Sequence, residues 1–86
     1  MKKKISTHRK IYTYTAIFEP AEEGGYVVMI PALPGCVTQG ETFEEAKRMA
    51  KDAIRLYLKV LRKEGEEIPV EKEERIEVRI PVTASL

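Results

Sequence analysis

The part of the sequence that most constrains the fold is residues 25–46, where glycines and prolines separate short apolar segments. Residues 26–30, YVVMI, are apolar and rich in β-branched side chains, a composition typical of a central strand. Pro31 has no backbone N–H to donate to a sheet, so we expect the strand to end there. Pro34 and Gly35 then place a residue of fixed φ before a permissive one, which indicates a turn.

A short strand and a long helix are predicted after this turn. Residues 36–38 can resume an extended strand. Thr42 and Glu45 have the spacing of a capping box, in which the side chains and backbone N–H groups at a helix start bond reciprocally. We therefore expect a helix over residues 43–64. Gly65 is its predicted C-terminal stop, because glycine adopts the left-handed conformation that ends many helices.

The helix has an apolar stripe that should face a sheet. Its predicted core residues recur at helical spacing: Ala46, Ala50, Ala53, Tyr57, Val60 and Leu61. Four further apolar residues lie outside that narrow stripe: Met49, Ile54, Leu56 and Leu58. Either the apolar arc of the helix is wide, or part of it contacts another molecule.

Two more strands are predicted at the ends of the domain. Residues 10–19 alternate, so that one face carries the residues suited to packing under the helix: Tyr12, Tyr14, Ala16 and Phe18. A polar connection over residues 20–24 indicates a β-hairpin. Residues 75–80 alternate again and predict a last strand, amphipathic and at a sheet edge. The predicted order is β-β-β-α-β, an α+β fold with one long helix on one face of the sheet.

This order predicts an antiparallel meander whose fourth strand returns beside the first through a right-handed helical crossover. It is a truncated version of the ribonuclease H topology. We expect one domain over residues 10–82, a flexible basic N-terminus over residues 1–9 and a short tail over residues 83–86, since 86 residues leave little room for two cores.

The central stretch also resembles the core signature of the HicB family, the antitoxins of HicA/HicB toxin–antitoxin pairs. The matching positions are Gly25, Tyr26, Pro31, Leu33, Pro34, Gly35, Cys36, Thr38, Gly40, Thr42, Glu44, Glu45 and Ala46. The resemblance covers about residues 12–82 and implies the same ribonuclease-H-like architecture. It also implies an antitoxin that would neutralise HicA, a small basic ribonuclease that cleaves messenger RNA, by direct contact. Longer family members continue into a DNA-binding segment, and we do not expect promoter binding from the present domain.

Composition and charge exclude several classes of function. The chain has 43% hydrophobic and 34% charged residues, which is a globular composition with a heavily charged surface. Its formal net charge of +1 argues against a general attraction to nucleic acid. A single cysteine is compatible with a reducing cytoplasm. We found no apolar run of a length that would span a bilayer, and no signal peptide, so we expect a cytoplasmic protein that does not insert in membranes.

The residues for catalysis are sparse. Ribonuclease H chemistry needs several carboxylates around two metal ions, and the only aspartate, Asp52, lies mid-helix beside a lysine. Cys36 lacks a base, because the only histidine, His8, is distant in sequence, so we interpret the thiol as part of the packed turn. We therefore expect no enzyme activity, no cofactor and no metal site.

Binding is the expected function, and two alternatives remain open. The candidate residues for contact with a basic toxin are acidic: Glu19, Glu22, Glu23, Glu41, Glu44 and Glu45. One alternative is a non-catalytic ribonuclease-H-like domain that binds nucleic acid through its basic residues: Lys2, Lys3, Lys4, Arg9 and Lys10. The other is a solitary homo-oligomer without a toxin. We expect self-association, as a dimer or larger, because both faces of the second strand are apolar.

Overall fold

The computed structural model describes residues 10–71 and 76–85 of the chain. Its elements are the strands β1 (Ile17–Pro20), β2 (Tyr26–Met29) and β3 (Val37–Gly40), followed by the helix α1 (Phe43–Lys63). The three strands form one antiparallel sheet in the order β1-β2-β3, with α1 packed on one face. The fold is therefore α+β, as predicted. Within the described residues, no helix has the length and apolarity needed to cross a membrane.

The core lies between β2, the turn that follows it and the first half of α1. Val28 and Leu33 are fully buried and Ile30 is nearly so, and all three pack with Ala46 and Ala50. Small alanines on the helix allow its backbone to lie close to the sheet, which is why so short a chain can enclose these side chains. The predicted contribution of the alanines to the core is confirmed.

Both ends of α1 are formed by the predicted residues. The hydroxyl Oγ1 of Thr42 accepts a hydrogen bond from the backbone N–H of Glu45, at 3.1 Å. At the other end Gly65 has a φ of +71°, which glycine adopts at little cost. The backbone N–H of Gly65 donates to the carbonyl of Arg62, and that of Glu66 to the carbonyl of Leu61. This pair of bonds is the Schellman motif, and it satisfies carbonyls that the helix end leaves without partners.

The first strand is shorter than the sequence predicts, since it begins at Ile17 and not at Lys10. The reason is the length of its neighbour. Ile17 pairs with Met29, the last residue of β2, and the chain turns away immediately afterwards at Pro31. Residues 10–16 thus have no strand beside them on that side. Their predicted facing is nevertheless correct, because Tyr14 packs against the core together with Ala16 and Phe18.

The predicted fourth strand is not formed. Arg75 lies outside the described residues, and residues 76–80 belong to no strand. The chain does return beside the segment that leads into β1, but earlier than predicted. The Tyr14 hydroxyl donates to the carbonyl of Pro69 at 2.5 Å, and the backbone N–H of Thr15 donates to Oε1 of Glu71 at 2.9 Å. Because a carboxylate occupies the N–H of Thr15, this contact is made by side chains and not by a strand ladder.

The Tyr14 hydroxyl gives a testable consequence of this contact. Burial, with smaller contributions from Tyr12 and Glu71, raises the pKa of Tyr14. A pKa raised on folding stabilises the protein at every pH below the unfolded value of 10.0, and this stabilisation is lost as pH rises through the folded pKa. We expect Tyr14→Phe to lower the free energy of unfolding by about 1 kcal/mol near pH 7.

Urea unfolding followed by circular dichroism checks this prediction. The stability difference between wild type and Tyr14→Phe should shrink as pH rises above about 10, because the ionised hydroxyl can no longer donate to Pro69. A difference that stays constant between about pH 7 and about pH 11 would contradict the assignment of this hydrogen bond.

Candidate interaction site

Two glycines of the central stretch meet where the hairpin, β3 and the start of α1 converge. A Cβ placed on Gly40 would lie 2.5 Å from the backbone N of Ala46 and 2.6 Å from its Cα. A Cβ on Gly25 would lie 2.6 Å from the carbonyl oxygen of Gly40, and Gly25 also has a φ of +78°. Real Cβ atoms do not approach other atoms so closely, so both positions require glycine. The glycines of the family signature therefore let the helix start sit directly against the end of the sheet.

This convergence creates an acidic end of the molecule. Three acids line one cleft: Glu23 of the hairpin turn, Glu41, which precedes the helix cap, and Glu45 of the first helical turn. Glu22 and Glu44 are exposed and are the chain neighbours of Glu23 and Glu45. Residues predicted as partner contacts from two separate parts of the sequence thus lie together, and the positive end of the helix dipole favours acids at this place.

Two of the six predicted acids differ from the other four. The Oε1 atom of Glu45 accepts a hydrogen bond from the backbone N–H of Glu41 at 2.6 Å, so this carboxylate helps to cap the helix. Glu19 is exposed and lies in β1, opposite Val27, whose side chain is on the sheet face away from the helix. The acidic end proper is therefore Glu22, Glu23, Glu41 and Glu44.

The proline–glycine turn between β2 and β3 is held by backbone hydrogen bonds within the turn and by one hydrogen bond from the helix. The backbone N–H of Leu33 donates to the carbonyl of Ile30, and the N–H of Cys36 donates to the carbonyl of Leu33. The N–H of Ile30 donates in turn to the carbonyl of Cys36 at 3.0 Å. The Tyr57 hydroxyl of α1 donates to the carbonyl of Pro34 at 2.7 Å. These residues of the signature thus shape the turn, and their pattern requires no ligand to explain it.

The remaining signature residues also have contacts within the domain. Tyr26 packs edge-on against Phe43, with ring centroids 5.9 Å apart, and Phe43 lies 4.8 Å from Phe18. Thr38 pairs with Val28 in the middle of the sheet. These contacts join the start of the helix to β1 and β2, and β2 to β3.

Cys36 has the properties of a structural thiol. Its side chain is 5% exposed, and burial raises its pKa, so near neutral pH the group stays a protonated thiol and is a weak nucleophile. His8 lies outside the described residues. Within residues 10–71 and 76–85, no group of three or more His, Cys, Asp or Glu residues is arranged to hold a metal ion. Asp52 forms an exposed ion pair with Arg55 at 3.3 Å.

A basic stripe that was not predicted from the sequence runs along α1. Its members are exposed and recur at intervals of three or four residues, which places them on one side of a helix: Lys47, Lys51, Arg55, Lys59 and Arg62. The spacing of these cations by three or four residues is visible in the sequence. It was not used because the net charge of the chain is close to zero. Acidic and basic residues are thus separated, with the acids at the start of the helix and the cations along its side.

The sheet face away from α1 is open within the described residues. Val27 is 37% exposed, Met29 41% and Val37 55%, and the three are neighbours across β2 and β3. The apolar outer face predicted for the second strand is present. Self-association through this face stays a prediction.

Comparison with known proteins gives a consistent result. A family model described as the HicB-like antitoxin of bacterial toxin–antitoxin systems matches residues 14–82. A UPF0150 protein of Thermoplasma acidophilum is 51% identical over 65 residues, which are 76% of this chain and 94% of that protein. A UPF0150 protein of Synechocystis is 43% identical over 65 residues, 76% of this chain and 82% of that protein. Antitoxin HicB 1 of Photorhabdus laumondii is 44% identical over 57 residues, 66% of this chain but 37% of that protein.

Proposed function

This chain belongs to the HicB-like antitoxin family of bacterial toxin–antitoxin systems, and we propose that it neutralises a HicA-type toxin by direct contact. The toxin would be a small basic ribonuclease that cleaves messenger RNA. The antitoxin would act in the cytoplasm, without catalysis and without a cofactor. Its domain would be a truncated ribonuclease-H-like fold, in which residues 10–71 and 76–85 form no group of three or more His, Cys, Asp or Glu residues that could hold a metal ion.

The observation that carries this proposal is the acidic end of a domain from an antitoxin family. Glu22, Glu23, Glu41 and Glu44 are exposed on two elements that the glycine contact holds together. A rigid patch of acids complements a basic RNA-binding surface, and such complementarity speeds association and selects the partner. Glu19 would extend the patch along β1, whereas Glu45 would act indirectly by holding the helix start in place.

The mechanism requires only that the toxin be covered. A ribonuclease must bring RNA phosphates to its active site, and a protein bound over the basic surface prevents this by steric exclusion and by competing for the same cations. The antitoxin's contribution is therefore surface shape and charge. This agrees with the contacts of the signature residues Gly25, Gly40, Tyr26 and Thr42, which hold the domain together, and with the exposure of Glu44.

Co-expression tests the proposed function. A candidate toxin, taken as a small basic reading frame next to this gene, should arrest growth when expressed alone. We expect wild-type antitoxin to restore growth and to co-purify with the toxin. Growth arrest that persists at an antitoxin level matching the toxin, together with failure to co-purify, would overturn the proposal for that pair.

The basic stripe of α1 favours a second candidate, binding of nucleic acid through phosphates. Lys10 is exposed with its ammonium 5.3 Å from the Tyr12 ring, and the other basic residues named for this alternative lie outside the described residues. Such binding would weaken steeply as salt rises. We expect RNA to bind only at the non-specific level, with a dissociation constant above about 1 μM at physiological salt.

A further inference from the structure

The C-terminal arm, residues 76–82, presents an uncovered apolar edge. Ile76 is 85% exposed, Val78 68%, Ile80 75% and Val82 79%. The charged residues Glu77 and Arg79 alternate with these apolar residues. In an extended chain the apolar side chains therefore lie on one side. A run of exposed β-branched residues with this period is the signature of a strand that has a partner.

A groove of matching character lies along the free edge of the sheet. We call it the β1 groove: Phe18 of β1 lines one side together with Tyr14 and Ala16 from the segment before β1, and Ile54 and Leu58 of α1 line the other. Since β1 is an edge strand, its outer backbone groups have no strand partner among the described residues. The groove is also where the sequence pattern placed a fourth strand.

The arm of the same copy does not fill this groove, because its apolar side chains Ile76, Val78 and Ile80 are all exposed. The returning chain contacts the segment that leads into β1 earlier, where Pro69 lies beside Tyr14 and Glu71 beside Thr15. An uncovered apolar arm and an unfilled apolar groove in one chain are complementary when two copies meet.

Charge distinguishes between the segments that are candidates to occupy the groove. Its rim on the helix side is basic, with Lys47, Lys51 and Arg55. The N-terminal residues of the chain are also basic and would be repelled, whereas the arm carries Glu77 and Arg79 and has no net charge. The arm is therefore not repelled by the rim, and its apolar periodicity matches the groove.

We propose that two copies of this chain exchange their C-terminal arms. Residues 76–82 of each copy pair along β1 of the other, and Ile76, Val78 and Ile80 enter the β1 groove against Ile54 and Leu58. The exchange completes in a dimer the four-stranded sheet that the sequence pattern predicts. It requires no toxin, so it stands or fails separately from the proposed function.

Sedimentation velocity on the full chain tests the exchange. Wild type should be a dimer, and Val78→Lys with Ile80→Lys should raise its dissociation constant by about 100-fold or more, because two apolar side chains are lost and cations face the basic rim. The matched control is Glu77→Thr with Arg79→Thr, which changes the alternate residues of the same arm and should leave the dimer intact. Circular dichroism should show unchanged helix content in both variants.

Cysteine cross-linking identifies which chain supplies the arm. Val78→Cys and Leu58→Cys are combined in one chain, in a Cys36→Ala background, and oxidised. The exchange predicts a disulfide between two chains, seen as a doubled mass in denaturing conditions. Leu56→Cys in place of Leu58→Cys is the control, because Leu56 is 63% exposed but does not line the groove, and it should not cross-link.

Three results would overturn the exchange. One is a wild-type monomer at high concentration. Another is a cross-link within a single chain. The third is a dimer that survives the arm variant but dissociates with Met29→Lys, which would assign the dimer to the open face of the sheet.

Discussion

Gly40→Ala should lower the free energy of unfolding by about 3 kcal/mol or more, at the upper end of what overpacking costs. The added methyl group would meet Ala46 N at 2.5 Å and Ala46 Cα at 2.6 Å. These are backbone atoms of the first helical turn, so the strain cannot be relieved by rotating a side chain. Relief requires the helix start to move away from the sheet, which would uncover Val28 and Leu33. Urea unfolding followed by circular dichroism measures the effect.

Gly65→Ala is the matched control for this prediction. Gly65 has a φ of +71° but open space around the position of its Cβ, so its cost is the left-handed conformation alone, about 1 kcal/mol. Gly40 has an ordinary φ, so its cost is steric alone. Adding Ala46→Gly to Gly40→Ala should give no rescue, because the clash is with backbone and not with the Ala46 methyl group. Equal costs for the two single variants would contradict this account.

The fold was most predictable where local chemistry decides it. Thr42, Glu45 and Gly65 set the ends of the helix through hydrogen bonds and φ angles that involve only near neighbours in sequence. The strand before Pro31 and the turn at Pro34 follow from the missing N–H and the fixed φ of proline. The predicted and observed structures agree closely at these positions.

The strands at the two ends could not be predicted from their own residues. An alternating pattern shows that a segment is suited to a sheet, but a strand forms only where another strand lies beside it. β1 begins at Ile17 because β2 ends at Met29, and residues 76–80 have no strand beside them in the part of the chain that the structure describes. The pattern therefore predicted the facing of side chains correctly and the extent of pairing incorrectly.

The acidic site was predictable in composition but not in grouping. Glu23 and Glu41 are far apart in sequence, and they share a cleft only because Gly25 and Gly40 touch. No periodicity reports a contact of that kind. The sequence also did not separate Glu45, which caps the helix, from the acids proposed to bind a partner. A carboxylate that caps a helix and one that binds a partner look the same in a sequence.

Reversing the charge of the acidic end should abolish toxin neutralisation. In the variant with Glu22, Glu23, Glu41 and Glu44 all changed to Lys, a basic toxin would meet like charges where it now meets opposite ones. Like-charge contacts across an interface cost several kcal/mol, so we expect affinity to fall by about 100-fold or more and growth rescue to fail. Glu45 is left unchanged, since replacing it would also remove the hydrogen bond to the N–H of Glu41 and weaken the helix start.

The matched control for charge reversal is Glu66→Lys with Glu67→Lys, which are exposed residues after the helix and away from the acidic end. This variant should still neutralise the toxin. A second test is the effect of salt. Association of two proteins that is steered by charge becomes slower as ionic strength rises. If the four-fold variant neutralises the toxin as well as wild type does, the antitoxin function stands and the contact surface lies elsewhere. If wild type itself fails to neutralise, the function is wrong and the charge test has no bearing on it.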